Sequence, residues 1–275
     1  SESTSESEFE SDLTGSDDDV ILTPPSSKDK SLPQKLMLFI PGANVVPSYY
    51  TTTLAAIQEA SNLNLFAVAP SIPGKKCIQY CTSTALCSPL HYMTQKAIQK
   101  AVDAGFNGSI TDDVFIAGHS LGAVCASTLS QAYIDDYNSS SVVVMGAYVD
   151  DSDLASFPLP ALTLGAELDG GGGRPGFISK SLASSDALTA AAGEAEDGEW
   201  QLTRAPVVIL PGLDHSSFCP GFHVPGDVYP PEADNATALS LISSTVAAFL
   251  HLQTQDTQPA DVTSAALTTL QKNVA

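Results

Sequence analysis

The sequence predicts an α/β fold: a doubly wound, mostly parallel sheet of about six strands with helices on both faces. Three observations predict it. Short unbroken apolar runs, such as KLMLFI at 35–40 and VFIA at 114–117, have the length and composition of buried strands. Segments of helical length separate those runs, so neighbouring strands are joined by crossovers and lie parallel. Finally, 275 residues with 43% hydrophobic content supply enough apolar material for one large core.

Taken in order, 20–23 forms a short first strand and 24–34 a loop. The strand at 35–40 is ended by Pro41-Gly42. Ser48 is placed to cap a helix reaching residue 63, with Leu54 and Ile57 on its inner face. The strand at 65–69 opens into a long loop, 70–89, followed by a helix over 91–104. After the strand at 114–117 comes a small-residue helix over 122–137, then strands at 142–149, 161–164 and 205–210. Leu239, Ile242, Val246, Phe249 and Leu250 line one face of a last helix. The domain reading is a leader over 1–34, one domain over 35–253 with a possible small cap at 170–201, and a tail over 254–275.

Charge excludes two classes of partner. Acids outnumber bases 31 to 11, for a net charge of −20 and a pI near 4.2. Such a chain does not track phosphates, so nucleic acid and anionic membrane surfaces are not expected partners. No apolar run approaches the roughly 18 residues of a membrane span. Residues 1–19 carry eight acids, Glu2, Glu6, Glu8, Glu10, Asp12, Asp17, Asp18 and Asp19, and no base, which reads as a disordered, solvated leader. The body then keeps 23 acids against 11 bases.

The cysteines bear on compartment. Cys125 is expected as a buried thiol in its helix, leaving Cys77, Cys81, Cys87 and Cys219 for two bridges in any of three connectivities. Their spacing fits no zinc pattern, and neither a metal nor a cofactor is expected. Glycosylation sequons begin at Asn107, Asn138 and Asn235. With the cysteines they favour a secreted or luminal protein over a cytoplasmic one, and the chain is expected as a monomer. No charged-then-apolar signal opens the sequence, which fits a processed or a cytosolic chain.

Chemistry is expected in the loops at the C-terminal strand ends. Gly118-His119-Ser120-Leu121-Gly122 follows a strand and opens a helix, the context in which G-x-S-x-G holds a nucleophilic serine on a strained turn. Bulky residues two positions either side of Ser120 would clash with strand and helix. Ser120 needs a base. His119 is too close in sequence to turn back on it, and His91 and His251 fall on helices. His215, in GLDHSSF beyond the last strand, is favoured over His223 in the same loop. A carboxylate must orient the base. Asp169, beyond the 161–164 strand, is favoured, with Glu167 and the Asp150/Asp151 pair as alternatives; Asp153 completes an acidic cluster that lacks a calcium loop's ligand set. Oxyanion donors are expected from the backbone N–H of Leu121 and of Ala43, with Asn44 as the alternative to Ala43. Asn44 and Tyr49 are candidate substrate contacts, and Tyr50 either joins them or packs in the core.

From Lys35 to the last helix, IPGAN, GHSLG, GAELDG and GLDHSSF make the chain resemble a compact α/β-hydrolase of the small esterase and dienelactone-hydrolase-like kind. The resemblance implies a minimal version of that fold and acyl-enzyme hydrolysis, with Ser120 as nucleophile, His215 as base and Asp169 as its orienter. Two departures stand out. Pro41-Gly42 replaces the family's usual His-Gly, and the leading antiparallel strands are short or missing. No bulky apolar lid is evident, so the expected reaction is hydrolysis of small to medium neutral carboxylic esters. Thioester hydrolysis, acyl transfer and a non-catalytic binding protein on the same scaffold are the alternatives.

Overall fold

The structure is a computed structural model that describes residues 18–136, 141–149, 157–170 and 199–273. Its strands are β1 (Val20–Leu22), β2 (Gln34–Ile40), β3 (Asn64–Ala69), β4 (Val114–His119), β5 (Ser141–Met145), β6 (Ala161–Ala166) and β7 (Val207–Leu210). They form one sheet in the order β1-β3-β2-β4-β5-β6-β7. Only the β1–β3 pairing is antiparallel. The helices are α1 (Thr51–Ala60), α2 (Ser88–Asp103), α3 (Leu121–Ala132), α4 (Glu199–Arg204), α5 (Asn235–Gln253) and α6 (Ala260–Asn273).

The apolar runs are strands because both of their faces are covered. Alternate residues of β2 face opposite cores: Met37 and Phe39 join one cluster, and Leu36, Leu38 and Ile40 the other. The first cluster is closed by α1, α5 and α6 through Leu54, Ile57, Val246, Phe249 and Leu270. The second is closed by α2 and α3 through Leu90, Ile98, Ala126 and Leu129. The chain runs from β2 to β3 on one side and returns to β4 on the other, so its direction reverses between β2 and β4. Ile40 pairs with Gly118 across that point, and the two following loops emerge side by side. Ligands of open α/β sheets bind in such a crevice.

Several expectations are corrected. Ser48 caps no helix: Pro47–Tyr50 is a 3-10 turn and α1 starts after it. The strand expected over 142–149 stops at Met145, where Gly146 turns the chain at φ 58°. The expected C-terminal tail contains α6, whose Ala266 and Leu270 are buried against α5. Asp19, counted with the leader, is tied to the body by the Ser71 N–H at 2.7 Å and by Lys100 at 2.5 Å. α5 is long and apolar enough to cross a membrane, though most of it is buried inside the protein. The cysteine pairing also differs. Cys125 is not a thiol but bridges Cys77, Cys81 bridges Cys87, and Cys219 is left as a buried thiol.

His251 links α5 to the end of α1. Its Nε2 accepts the Asn62 N–H at 2.6 Å, so the ring must stay neutral there. Burial first, and the Lys28 charge second, push its pKa down from 6.5 to about 4. Because the folded value lies below the unfolded one, the unfolded chain takes up the proton first as pH falls. This part of the stability is complete above pH 6.5 and is lost between 6.5 and about 4. Melting curves at several pH values should therefore show a smaller acid-side fall in Tm for His251→Gln than for the wild type; parallel curves would refute the assignment.

Candidate active site

Ser120 occupies the turn between β4 and α3 at φ 55° and ψ −127°, a backbone region that side chains rarely adopt. The Ser120 N–H is bound to the Met145 carbonyl at 2.8 Å, which pins the turn to the end of β5. The flanking glycines are required sterically. A Cβ at Gly118 would lie 2.5 Å from the Gly122 carbonyl oxygen, and one at Gly122 would fall on the carbonyls of Ile40 and Pro41. The N–H of Leu121 is at the first turn of α3, where no intrahelical acceptor exists.

The loop after β2 lies against this turn. A Cβ on Gly42 would sit 3.2 Å from His119 Nδ1 and 3.3 Å from the His119 carbonyl. The Gly42 N–H donates to Tyr50 Oη at 2.9 Å, and the Asn44 N–H to the Lys75 carbonyl at 2.7 Å. Both neighbours are engaged inside the protein, whereas the Ala43 N–H has no partner among the described residues. Asn44 is exposed, at φ 64°, and its backbone is committed to Lys75. Tyr49 packs on Phe222, with ring centres 5.1 Å apart, and so joins this loop to the one after β7. Tyr50 is fully buried against Phe39, which settles it as a core residue.

His215 Nδ1 and Asp169 Oδ2 are 2.8 Å apart, and both residues are almost wholly buried. The ends of β6 and β7 bring them together: Glu167 N–H donates to the Leu210 carbonyl at 3.0 Å and Leu168 N–H to the Leu213 carbonyl at 2.8 Å. His215 opens a 3-10 turn, His215–Phe218, whose N-cap is Asp214; the Asp214 carboxylate accepts both the N–H and the hydroxyl of Ser217. A carboxylate bound to Nδ1 favours the tautomer with the proton on that nitrogen, which leaves the Nε2 lone pair able to accept one. Ser120 Oγ has no hydrogen bond among the described residues, and catalytic contacts often close only around substrate. His215 nonetheless borders the serine turn. Its ring lies 3.0 Å from where a Gly146 Cβ would be, one residue beyond the Met145 that holds Ser120, and its centre is 4.5 Å from that of His119.

Of the other candidates, Glu167 is exposed and accepts the Gly212 N–H at 2.9 Å, away from the histidine. His223 is exposed, while His91 stacks on Tyr133 at 3.7 Å and pairs with Asp136. Asp150, Asp151 and Asp153, residues 171–198 of the cap, the Asn138 sequon and leader residues 1–17 lie outside the described residues. Among the described residues no cluster of metal-ligating side chains occurs. His119 was expected to pack or to support the site and does so, whereas Asp227 escaped the sequence reading. His119 is fully buried, with Nδ1 bonded to Tyr50 Oη at 2.9 Å; since that hydroxyl already accepts from Gly42, it donates to His119. Burial foremost, and the nearby His215 next, hold His119 well below its usual pKa. Asp227, far along the loop, accepts from residues beside both Asp169 and His215. Only its VPGD turn signature was there to be read.

No protein-family model and no curated protein matches the sequence. Solved structures do. The chain is similar to Thermogutta terrifontis esterase 2 phosphonylated by cyclosarin, with 10% identity, 88% of this chain and 90% of that one covered, and a TM-score of 0.53. It is equally similar to Est1E from Butyrivibrio proteoclasticus bound to ferulic acid, at 12% identity, coverage of 86% and 95%, and a TM-score of 0.53. The fold is that of the α/β-hydrolases. Within it, a serine on a strained turn and a buried histidine–aspartate pair lie beyond the C-terminal ends of β4, β6 and β7.

The strain at Ser120 has a measurable consequence. Such a backbone costs on the order of 1–3 kcal/mol for a side-chain-bearing residue, against about 0.4–1 kcal/mol of unfolded-chain entropy that a glycine adds. Ser120→Gly should therefore be about 1 kcal/mol more stable than Ser120→Ala in thermal unfolding. A glycine variant that melts below the alanine one would contradict this.

Proposed function

We propose that the protein is a serine hydrolase that cleaves small to medium, neutral carboxylic esters through an acyl-enzyme. The observation that carries this reading is the buried 2.8 Å His215–Asp169 bond beside a serine held at positive φ. His215 Nε2 takes the Ser120 proton as Oγ attacks the ester carbonyl. The oxyanion that forms is met by the N–H groups of Leu121 and Ala43, each such donor being worth about 3 kcal/mol in the transition state. Collapse expels the alcohol, which receives the proton from His215, and water repeats the sequence to release the acid. Asp169 stabilises the imidazolium without taking its proton. Because His119 stays neutral, no second cation stands beside that imidazolium.

Neutral esters suit the surface. Body acids outnumber bases 23 to 11, which disfavours anionic substrates and repels the carboxylate product. The esterases of similar fold support hydrolysis as the reaction class. We further read the protein as secreted or luminal, supported by two disulfides and by exposed sequon asparagines at Asn107 and Asn235.

A fluorophosphonate probe should label the wild type and leave Ser120→Ala unlabelled. His215→Ala should abolish turnover of p-nitrophenyl acetate, and His223→Ala should largely spare it. Equal labelling of the serine variant, or a reversal of the two histidine results, would sink the assignment. Rates should fall as the acyl chain lengthens; a steep rise toward long chains with interfacial activation would replace the small-ester reading with a lipase.

A further inference from the structure

Asp227 belongs to neither the serine turn nor the His215–Asp169 pair, yet it is buried to 4% exposure between the loops that carry the latter two. Its Oδ1 accepts the Gly170 N–H at 3.2 Å, one residue after Asp169. Its Oδ2 accepts the Ser216 N–H and the Ser216 hydroxyl, both at 2.8 Å, one residue after His215. We propose that Asp227 is a positioning residue: a single carboxylate that clamps the loop bearing Asp169 to the loop bearing His215 and so sets the geometry of the bond between them. The proposal rests on the hydrolase reading for its kinetic consequence, though not for the geometry itself.

The local sequence delivers the carboxylate. Val224-Pro225-Gly226-Asp227 is a type II turn, with the Asp227 N–H bound to the Val224 carbonyl at 3.1 Å and Gly226 at φ 94° where such turns need glycine. The turn is tied back to the base loop, since the Val224 N–H donates to Ser216 Oγ at 2.9 Å while that hydroxyl donates to Asp227. On the other side, Gly170 admits the approach: a Cβ there would lie 2.8 Å from the Val228 nitrogen. The clamp is kept despite a like charge close by. Burial pushes the Asp214 carboxyl up, and the Asp227 charge adds to that effect while the Ser217 bonds oppose it.

Two acceptor oxygens are what the arrangement requires. Hydrogen bonds to an ionised carboxylate are short and strong compared with those to a neutral amide. An asparagine has one acceptor oxygen, so whichever way it turns, its NH2 faces either the Gly170 N–H or the two Ser216 donors. One loop is then released, and near-attack geometry is sensitive to shifts of about an ångström, worth on the order of 100-fold in rate.

The test uses the full chain with Asp227→Asn and, as a milder lesion that keeps the Ser216 backbone donor, Ser216→Ala. Three quantities are read: kcat and KM for p-nitrophenyl acetate, and the low-field proton NMR resonance of the His215 Nδ1–H, assigned by its loss in His215→Ala. Asp227→Asn should lower kcat by on the order of 100-fold with little change in KM. It should also shift or erase the low-field resonance, and Ser216→Ala should do both to a smaller degree. An asparagine variant with wild-type kcat overturns the proposal, as does one that loses activity or melting temperature while the resonance stays put. Should Asp227→Asn fail to fold, Ser216→Ala decides: wild-type kcat and an unmoved resonance overturn it. If the wild type hydrolyses no ester but the resonance is present and lost in Asp227→Asn, the hydrolase reading falls and the clamp stands.

Discussion

The site depends on a contact made by the absence of a side chain. Gly122, in the first turn of α3, lies with its backbone against the carbonyls of Ile40 and Pro41, so that helix and β2 approach more closely than any Cβ allows. Gly118 does the same on the strand side of the turn. Once those two backbones are this close, the loop after β2 has to run beside the serine turn, with Gly42 against His119. The strained φ of Ser120 follows from the same packing, because the chain must reverse from strand to helix within one residue.

Electrostatics then separate two histidines whose rings are 4.5 Å apart. Tyr50 is the means. Burial pushes its phenol well above the usual range, so it remains a donor, and its proton goes to His119 Nδ1 while its oxygen takes the Gly42 N–H. His119 is left neutral, and in the proposed reaction the positive charge would fall on the ring that Asp169 faces. The same tyrosine keeps the Gly42 N–H engaged inside the protein.

The strands were legible because each is buried on two faces and is therefore written as an apolar run; β2, β3, β4 and β7 lie within a residue or two of their expected bounds. The serine turn was equally plain, since its signature falls within five consecutive residues, although Gly122 is demanded by the distant carbonyls of Ile40 and Pro41. What the sequence hid depends on pairs far apart in the chain. Cys125 looked like a core thiol from its helix alone, and only the return of the 70–89 loop brings Cys77 to it. α6 escaped notice because its apolar positions, Ala266 and Leu270, are few and gain their burial from α5. Asp227 escaped for a related reason: its role exists only where two loops meet, and no local spacing encodes that meeting.

The two sides of the site are held by different means, and the difference fits their tasks. On the serine side, Cys77 is bonded to Cys125 in α3, its sulfur lies 3.3 Å from the Leu121 carbonyl oxygen, and two residues earlier Lys75 holds the Asn44 N–H. One short covalently anchored segment thus touches both Leu121 and Asn44, and in the proposed reaction it would steady the N–H groups that face the developing charge. A cross-link enclosing 48 residues also removes about 4 kcal/mol of chain freedom from the unfolded state in the entropy model. On the base side no cross-link exists, since Cys219 is an unpaired thiol in the core. There the loops are joined by backbone bonds and buried carboxylates. In the proposed reaction the histidine would receive a proton from one oxygen and return it to another, which calls for an aligned but adjustable mount. Hydrogen bonds to carboxylates supply alignment at the cost of burying charge, and the acid-rich loop around His215 is where the protein accepts that cost.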